Sequence, residues 1–270
     1  MPRRLAVLLP ALVSALAWPA PASAHYVDLN EALTREGTLT VGLALTGRPF
    51  AYKEDGALRG FEVAMARAVA AAHGLALGLA QVPRTGLAQA LARGEVDLAN
   101  TLALEGEARG ASVVPYLVVG DHLMVLRGNP FRIREVGDLS GRVVSATAGS
   151  SAEAFAHDLN REFAAADLAP MQVHSFPHHR HTHFPVSMGH AVGYFVRTVS
   201  AVAITGDPES RTRLVEGVFR PRREVGFAIR DTNPALHHAV EHAVAAMVAT
   251  GKYRRLRLEH GLPAELSPYR

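Results

Sequence analysis

Strand-like and helix-like hydrophobic patterns alternate along the chain. Residues 39–45 form a short, mostly apolar run, which predicts a buried strand. Apolar side chains then recur at near-helical spacing from Phe61 to Ala72, and Gly74 can end that helix. Further strands are predicted at 96–99, 122–127, 142–146, 192–196 and 225–229, and further helices after Thr85, Ser150 and Asn233. This alternation predicts an α/β fold.

The N-terminus has the pattern of a secretory leader. Arg3 and Arg4 precede an apolar run at 5–17, and the small residues at 22–24 form a cleavage site. The apolar run is too short to span a bilayer. We therefore expect a signal peptide at 1–24 and an exported protein that works in a bacterial periplasm.

Composition narrows the possible functions. Hydrophobic residues make up 49% and charged residues 20% of the 270 positions, as in an ordinary globular protein. The formal charge of +3 includes Arg3 and Arg4, so the chain after the leader is almost neutral and has no electrostatic preference for nucleic acid. The absence of cysteine excludes thiolate metal sites and iron–sulfur clusters.

A series of short segments recurs in a recognisable order, at 39–42, 48–52, 55–63, 87–97, 107–109, 115–116, 123–129, 138–144, 148–153, 226–230 and 251–253. In this order the segments resemble the periplasmic solute-binding proteins of amino-acid ABC importers (solute-binding protein family 3). The resemblance covers essentially all of the chain after the leader.

The resemblance implies a two-lobed, type II periplasmic-binding-protein fold with two crossover strands. Lobe 1 would comprise 25–120 and 222–270, and lobe 2 would comprise 121–221. A small solute would bind in the cleft between the lobes, which would close over it by a hinge motion. The implied partners are the solute and an inner-membrane ABC permease, and the protein is expected to be a monomer.

The resemblance also implies a set of binding residues. Arg109 would clamp a ligand carboxylate through its planar guanidinium. The turn formed by Gly149, Ser150 and Ser151 would offer backbone N–H groups to the same carboxylate, would cap a helix, or would do both. The remaining candidates are Thr101, as a hydroxyl that bonds the ligand, and Phe50 and Tyr52, as aromatic cover, with Phe50 favoured as core.

Several residues depart from the family's pattern. Arg197 stands where the family usually has an aspartate that holds an α-ammonium group, so the charge is inverted. Ala44 and Leu104 replace polar pocket residues, and Arg84 replaces an aromatic residue. A buried ammonium without a partner would cost several kcal/mol. These departures favour a small carboxylate held between Arg109 and Arg197 over a standard amino acid.

A histidine-rich segment raises a second possibility. Six of the 14 histidines lie between His174 and His190. In an extended segment His181 and His183 would share one face, and together with His179 they would suit zinc or copper. The alternative is a solvated loop that binds nothing, in which case the protein has no cofactor.

Three functions therefore remain open at the level of sequence. The first is a non-enzymatic binding protein that delivers a small polar solute to an importer. The second is a metal-binding or sensory accessory protein that uses the histidine-rich segment. The third is a dehydratase-like enzyme on the same scaffold, with Glu105 or Glu107 as its cleft acid.

Overall fold

The computed structural model describes residues 29–103 and 109–269, without the side chains of Ala103, His179 and 216–221. The expected leader at 1–24 lies outside the described residues, and so do Leu104 and the candidate acids Glu105 and Glu107. None of the helices in the described ranges combines the length and apolar character that a membrane crossing requires.

The described chain alternates between strands and helices, as the hydrophobic pattern predicts. The strands are β1 Thr38–Leu43, β2 Tyr52–Glu54, β3 Ala57–Arg59, β4 Ala76–Gln81, β5 Leu98–Asn100, β6 Ala111–Leu126, β7 Val143–Thr147, β8 Gln172–Phe176, β9 Gly193–Arg197 and β10 Thr212–Arg230. The α-helices are α1 Phe61–Ala72, α2 Arg84–Ala92, α3 Ser151–Ala165, α4 Phe184–Ser187, α5 Thr198–Thr205, α6 Pro234–Ala249 and α7 Lys252–Glu259.

One large sheet connects the two ends of the molecule, in the order β4-β1-β5-β10-β6-β9-β7-β8. On one side of its centre β1 pairs in parallel with β4 and β5, and on the other side β7 pairs in parallel with β8 and β9. The central strands β6 and β10 run antiparallel to each other and join the two sides. The exact lobe boundaries given above stay a prediction.

The long pairing of β6 with β10 is irregular. Its register shifts between Leu214 and Phe219, between Arg220 and Arg223, and between Val225 and Gly226. Such irregularities bend a strand pair and increase its twist. At the last shift the two backbones approach so closely that a Cβ on Gly226 would lie 1.8 Å from a carbonyl oxygen of β6. Glycine is therefore required at this position.

The core is divided into clusters on the two sides of the crossing strands. The largest includes Phe61, Tyr116 and Phe227, and it packs α1 and α6 against the β1 side of the sheet. A second cluster, with Phe155 and Phe195 in edge-to-face contact, packs α3 against the β7 side. The two sides thus bury separate apolar surfaces, and the crossing strands connect them.

Candidate functional site

A cleft of about 390 Å³ lies where the crossing strands meet the ends of several elements. The loop after β1, the start of α2 and both crossing strands contribute to its wall, together with the first residues of α3 and α5. Its charged residues are Arg84, Asp121, Arg197 and Arg223, and its hydroxyl residues are Thr46, Ser151, Thr198 and Ser200. A volume of this size suits a small ligand.

Among the described residues of the cleft wall, Asp121 is the acidic one. It lies on β6 directly opposite Arg197 on β9, and its Oδ1 accepts a hydrogen bond from the Ser151 hydroxyl at 3.1 Å. The residue is 2% exposed, and burial raises the pKa of its carboxyl to about 6, against the opposing effects of Ser151 and Arg197. The described residues offer no donor to its Oδ2. This carboxylate can therefore accept a hydrogen bond from a ligand.

Three arginines belong to the described lining of the cleft. Arg84 is the first residue of α2, Arg197 ends β9, and Arg223 lies on β10. A guanidinium presents a planar set of donors that matches a carboxylate. With one aspartate and three arginines, the cleft has charged groups for both ends of a zwitterion.

Thr198 fixes the geometry next to Asp121. Its hydroxyl donates to the carbonyl of Gly120 at 3.0 Å and accepts from the Gly120 N–H at 2.8 Å. It also lies 2.9 Å from Nε2 of His122. Because the hydroxyl proton goes to Gly120, Nε2 must be the donor in that contact. Burial lowers the pKa of His122 to about 4, so the ring is neutral near pH 7.

A buried carboxyl lies behind the cleft wall. Glu62 is fully buried, and it accepts hydrogen bonds from Thr46 at 3.1 Å, Asn100 at 3.0 Å and Tyr116 at 2.6 Å. Burial raises the pKa of Glu62, and these three hydrogen bonds oppose that shift. Because Thr46 also accepts from the Ala51 N–H, its hydroxyl is held in place at the cleft surface.

Two of the residues expected from the sequence lie together in the cleft, namely Ser151 and Arg197. Thr101 is buried, and Gly226 engages its hydroxyl as both donor and acceptor. The hydroxyl accepts from the Gly226 N–H at 2.7 Å and donates to the Gly226 carbonyl at 3.1 Å. The hydroxyl proton of Thr101 is thus used to hold β10, and Thr101 does not line the cleft.

The turn at Gly149 and Ser150 is a helix cap. Ser150 is the N-cap of α3 and accepts from the Glu153 N–H at 3.2 Å, while Glu153 accepts from the Gly149 N–H at 2.7 Å. The capping interpretation is therefore confirmed. The Gly149 N–H that was expected to face a ligand carboxylate is already bound by a carboxylate of this helix.

The remaining candidates lie away from the cleft wall. Phe50 is fully buried in the largest core cluster, so its interpretation as core is confirmed. Tyr52 lies under the guanidinium of Arg48 at 4.2 Å and lines a different cavity. Arg109 lies in an exposed turn before β6, and its role as a carboxylate clamp stays a prediction.

Sequence reasoning missed several cleft residues, among them Thr46, Asp121, Thr198 and Arg223. It treated Arg84 only as a departure from a pattern, whereas the structure places Arg84 in the cleft wall. A signal for Asp121 was present, because this residue interrupts the apolar sequence of β6. A charged residue inside such a stretch indicates a functional site more specifically than the apolar residues around it do.

His174 lies in β8, but the part of the histidine-rich segment with His179, His181 and His183 is not extended. Residues His179–His181 form a short 3-10 turn, and His183 directly precedes α4. The rings of His178 and His181 are 5.6 Å apart, and the ring of His183 stacks on Phe184 at 4.5 Å. Within the described side chains, no three histidine or acidic groups are placed to share a metal ion. The side chain of His179 is not described, so a metal site at His179, His181 and His183 stays a prediction.

Comparisons with known proteins match this fold and most of the chain. The model of the family described as bacterial extracellular solute-binding proteins, family 3, matches residues 39–262. The L-cystine-binding protein TcyJ of Escherichia coli is 27% identical over 232 residues, which cover 84% of each chain. The probable amino-acid-binding protein YxeM of Bacillus subtilis is 34% identical over 119 residues, covering 43% of this chain and 45% of the relative.

Solved structures confirm the fold class. The L-cystine solute receptor of Neisseria gonorrhoeae, unliganded and open, has a TM-score of 0.69 at 19% identity, covering 83% of this chain and 92% of the receptor. A substrate-binding protein of a polar amino acid ABC uptake transporter from Streptococcus thermophilus also has a TM-score of 0.69, at 18% identity over 88% and 92% of the chains. The expected type II, two-lobed fold is therefore confirmed.

Proposed function

Because the chain belongs to family 3 of the bacterial extracellular solute-binding proteins, we propose that it binds a small amino-acid-type solute in the cleft and delivers it to an ABC importer. The curated relatives are named as binding proteins, which supports a protein that binds its solute without turning it over. The observation that supports the amino-acid ligand most directly is the pairing of Asp121 with Arg197 at the cleft. One strand register brings a carboxylate and a guanidinium together, and an amino acid carries the two complementary groups.

The carboxylate of the solute would bind on the arginine side. Arg197 and the hydroxyl of Ser151 line the same cleft, so a ligand oxygen there would meet a charged and a neutral donor. Arg84 supplies a second positive charge from α2. Hydrogen bonds to charged groups contribute about 1.5–3 kcal/mol each, which is enough for selective binding.

The ammonium group of the solute would bind Asp121. Arg197 alone would repel an ammonium, which is why the sequence favoured a carboxylate without one. Asp121 lies opposite Arg197, so a negative charge is present in the cleft at a position that sequence reasoning did not consider. An ammonium that binds here would satisfy the Oδ2 atom and lower the pKa of the carboxyl.

The proposed location and partners follow from the family and from the N-terminal pattern. We propose that the leader at 1–24 directs the chain to the periplasm and is removed there. The mature protein would act as a monomer and present its closed, loaded form to an inner-membrane permease. N-terminal sequencing of the exported protein tests the leader, and the expected first residue is His25.

Calorimetric titration of the purified protein tests the proposed ligand. The panel contains L-cystine, the polar amino acids and, for each, the matched acid that lacks the ammonium group. An amino acid should bind to the wild type with one site per chain. The Asp121→Asn variant should lose at least about tenfold in affinity for that amino acid, and much less for the matched acid.

Two further variants complete the test. Arg197→Gln should weaken the amino acid and the matched acid alike, because both carry the carboxylate. Arg93→Gln is the control, since Arg93 is exposed on the surface beside Glu95 and is not part of the cleft. Failure of every amino acid to bind, or equal affinity for the wild type and Asp121→Asn, would contradict the proposed function.

A further inference from the structure

A second cavity lies between α1 and α7, with the hairpin of β2 and β3 at one end. Its volume is about 510 Å³, within the range of small-ligand sites. It shares no lining residue with the cleft. On α7 and just after it, the lining residues Lys252, Leu256 and His260 are spaced four apart, so one face of this helix forms one wall.

The floor of this groove is apolar and is kept open by small side chains. On α1 the lining residues Ala64, Ala68 and Ala71 lie on the face turned to the groove, and Leu58 and Leu256 add larger apolar surface. Alanine leaves space where a longer side chain would fill the groove. The result is an apolar channel at the protein surface, with room for a hydrocarbon chain.

Positive charges flank this apolar floor from both helices. Arg67 lies on α1 and Lys252 on α7, and neither has a hydrogen-bond or ion-pair partner among the residues that the structure describes. Arg59, which also lines the groove, is 3.3 Å from Glu54 and is therefore already paired. No acidic residue belongs to the described lining.

We propose that this groove is a second binding site, which takes a free amphipathic anion. Its hydrocarbon chain would lie along the alanines of α1, and its carboxylate would lie between Arg67 and Lys252. This pairing satisfies two cations and removes apolar surface from water at the same time. The proposal does not depend on which solute binds in the cleft.

Titration with sodium decanoate, below its micelle concentration, tests the site in the full mature protein. We expect one decanoate per chain and weaker binding of octanoate and hexanoate, up to about fourfold for each methylene removed. Decanol and inorganic phosphate, which supply the chain and the anion separately, should each bind at least about tenfold more weakly than decanoate. Equal binding of either probe would overturn the proposal.

Reversing the charge of the two cations tests where the carboxylate of decanoate binds. The double variant Arg67→Glu, Lys252→Glu should bind decanoate at least about tenfold more weakly, with an unchanged melting temperature, because Arg67 is exposed and Lys252 only half-buried. The double variant Arg254→Glu, Arg255→Glu is the matched control, since it makes the same change in charge at two exposed positions of α7 outside the groove, and it should bind decanoate normally.

Two other results would overturn the proposal. One is binding of many decanoate molecules per chain, unchanged by the double variant, since this indicates nonspecific association. The other is binding to vesicles of anionic phospholipid without binding of monomeric decanoate, since this indicates a membrane-facing surface. A bulky side chain at an exposed wall position, Ala71→Phe, provides an independent check and should weaken decanoate binding while the two cations remain in place.

Discussion

Asp121 and His122 are adjacent on β6, and burial shifts their titrations in opposite directions. It raises the pKa of the Asp121 carboxyl to about 6 and lowers the pKa of the His122 imidazole to about 4. The stability linked to Asp121 is present at low pH and is lost as the pH rises through about 6. The stability linked to His122 is present above about pH 6.5 and is lost as the pH falls towards 4. The two effects oppose each other in the wild type.

A single substitution separates these effects. Asp121→Asn should increase the free energy of unfolding of the unliganded protein by about 1–3 kcal/mol at pH 7.5, because it removes a charge that burial disfavours. At pH 4 the native carboxyl is already protonated, so the increase should be small. Urea denaturation at both pH values measures this, and an equal increase at both would show that ionisation is not the cause.

Binding should depend on the same ionisation. An ammonium ligand requires the charged form of Asp121, whose pKa is about 6 in the unliganded protein. The groups that face this carboxyl are Arg197 from β9 and Ser151 from α3, with Arg84 and Arg223 also in the cleft wall. Amino-acid affinity should therefore fall about tenfold between pH 7 and pH 5 in the wild type. Calorimetry at both pH values would contradict this if the affinity did not change.

At the residue scale, the sequence predicted the types of side chain in the cleft better than it predicted which positions line it. Ser151 and Arg197 could be singled out because each follows a recognisable turn or strand, and both line the cleft. Asp121 was missed because its role depends on the pairing of β6 with β9, which brings it opposite a residue from much later in the chain. Thr101 looked like a ligand hydroxyl because nothing in the sequence shows that Gly226 binds it.

At the scale of elements, two threonines hold the crossing strands in the same way. Thr101 binds the N–H and carbonyl of Gly226 on β10, and Thr198 binds those of Gly120 on β6. Thr101→Val and Thr198→Val should each destabilise the protein by about 1–3 kcal/mol, because each leaves backbone groups without partners. A Thr→Ser substitution at either site keeps the hydroxyl and should destabilise the protein less. Thermal unfolding of the valine and serine variants at each site measures these losses of stability. Equal losses for valine and serine would contradict the role of the hydroxyl.

The start of α3 gives a second prediction at this scale. Ser150→Ala removes the N-cap and should destabilise the protein by about 0.5–2 kcal/mol. Amino-acid affinity should be unchanged, because Ser150 is not part of the cleft wall. Denaturation and calorimetry on the same preparation measure both quantities. A loss of affinity without a loss of stability would restore the ligand-binding role that the sequence suggested.

The elements that the sequence predicted are those with a strong local signal. Helix α1 was predicted with its observed bounds, and α6 begins after Asn233, which caps it. Strands β4 and β8 were missed because they lie at the two edges of the sheet, where no alternation of buried and exposed residues marks them. Strand β6 was predicted only from residue 122 onward, because Pro115 and Gly120 interrupt the strand pattern of its earlier half.

For the whole molecule, the position of the cleft follows from the sheet order. The crossing strands β6 and β10 lie in the middle of the sheet, and the apolar clusters lie to either side. The cleft wall takes Thr46 and Arg84 from the β1 side and Ser151 and Arg197 from the β7 side. A solute bound there, as we propose, would contact both sides, so its binding free energy would favour the arrangement in which the two sides are closer.

Solution scattering tests this coupling between binding and shape. A saturating amino acid should reduce the radius of gyration of the wild type, because a ligand held by Asp121 and Arg197 also meets Arg84 from the opposite side. Arg84→Ala should reduce this compaction even at saturation, since it removes a charged contact on one side only. Asp121→Asn, saturated with the matched acid that lacks the ammonium, should still compact, because the carboxylate contacts remain. A radius of gyration that does not change when the wild type is saturated would show that binding and closure are not coupled in this protein.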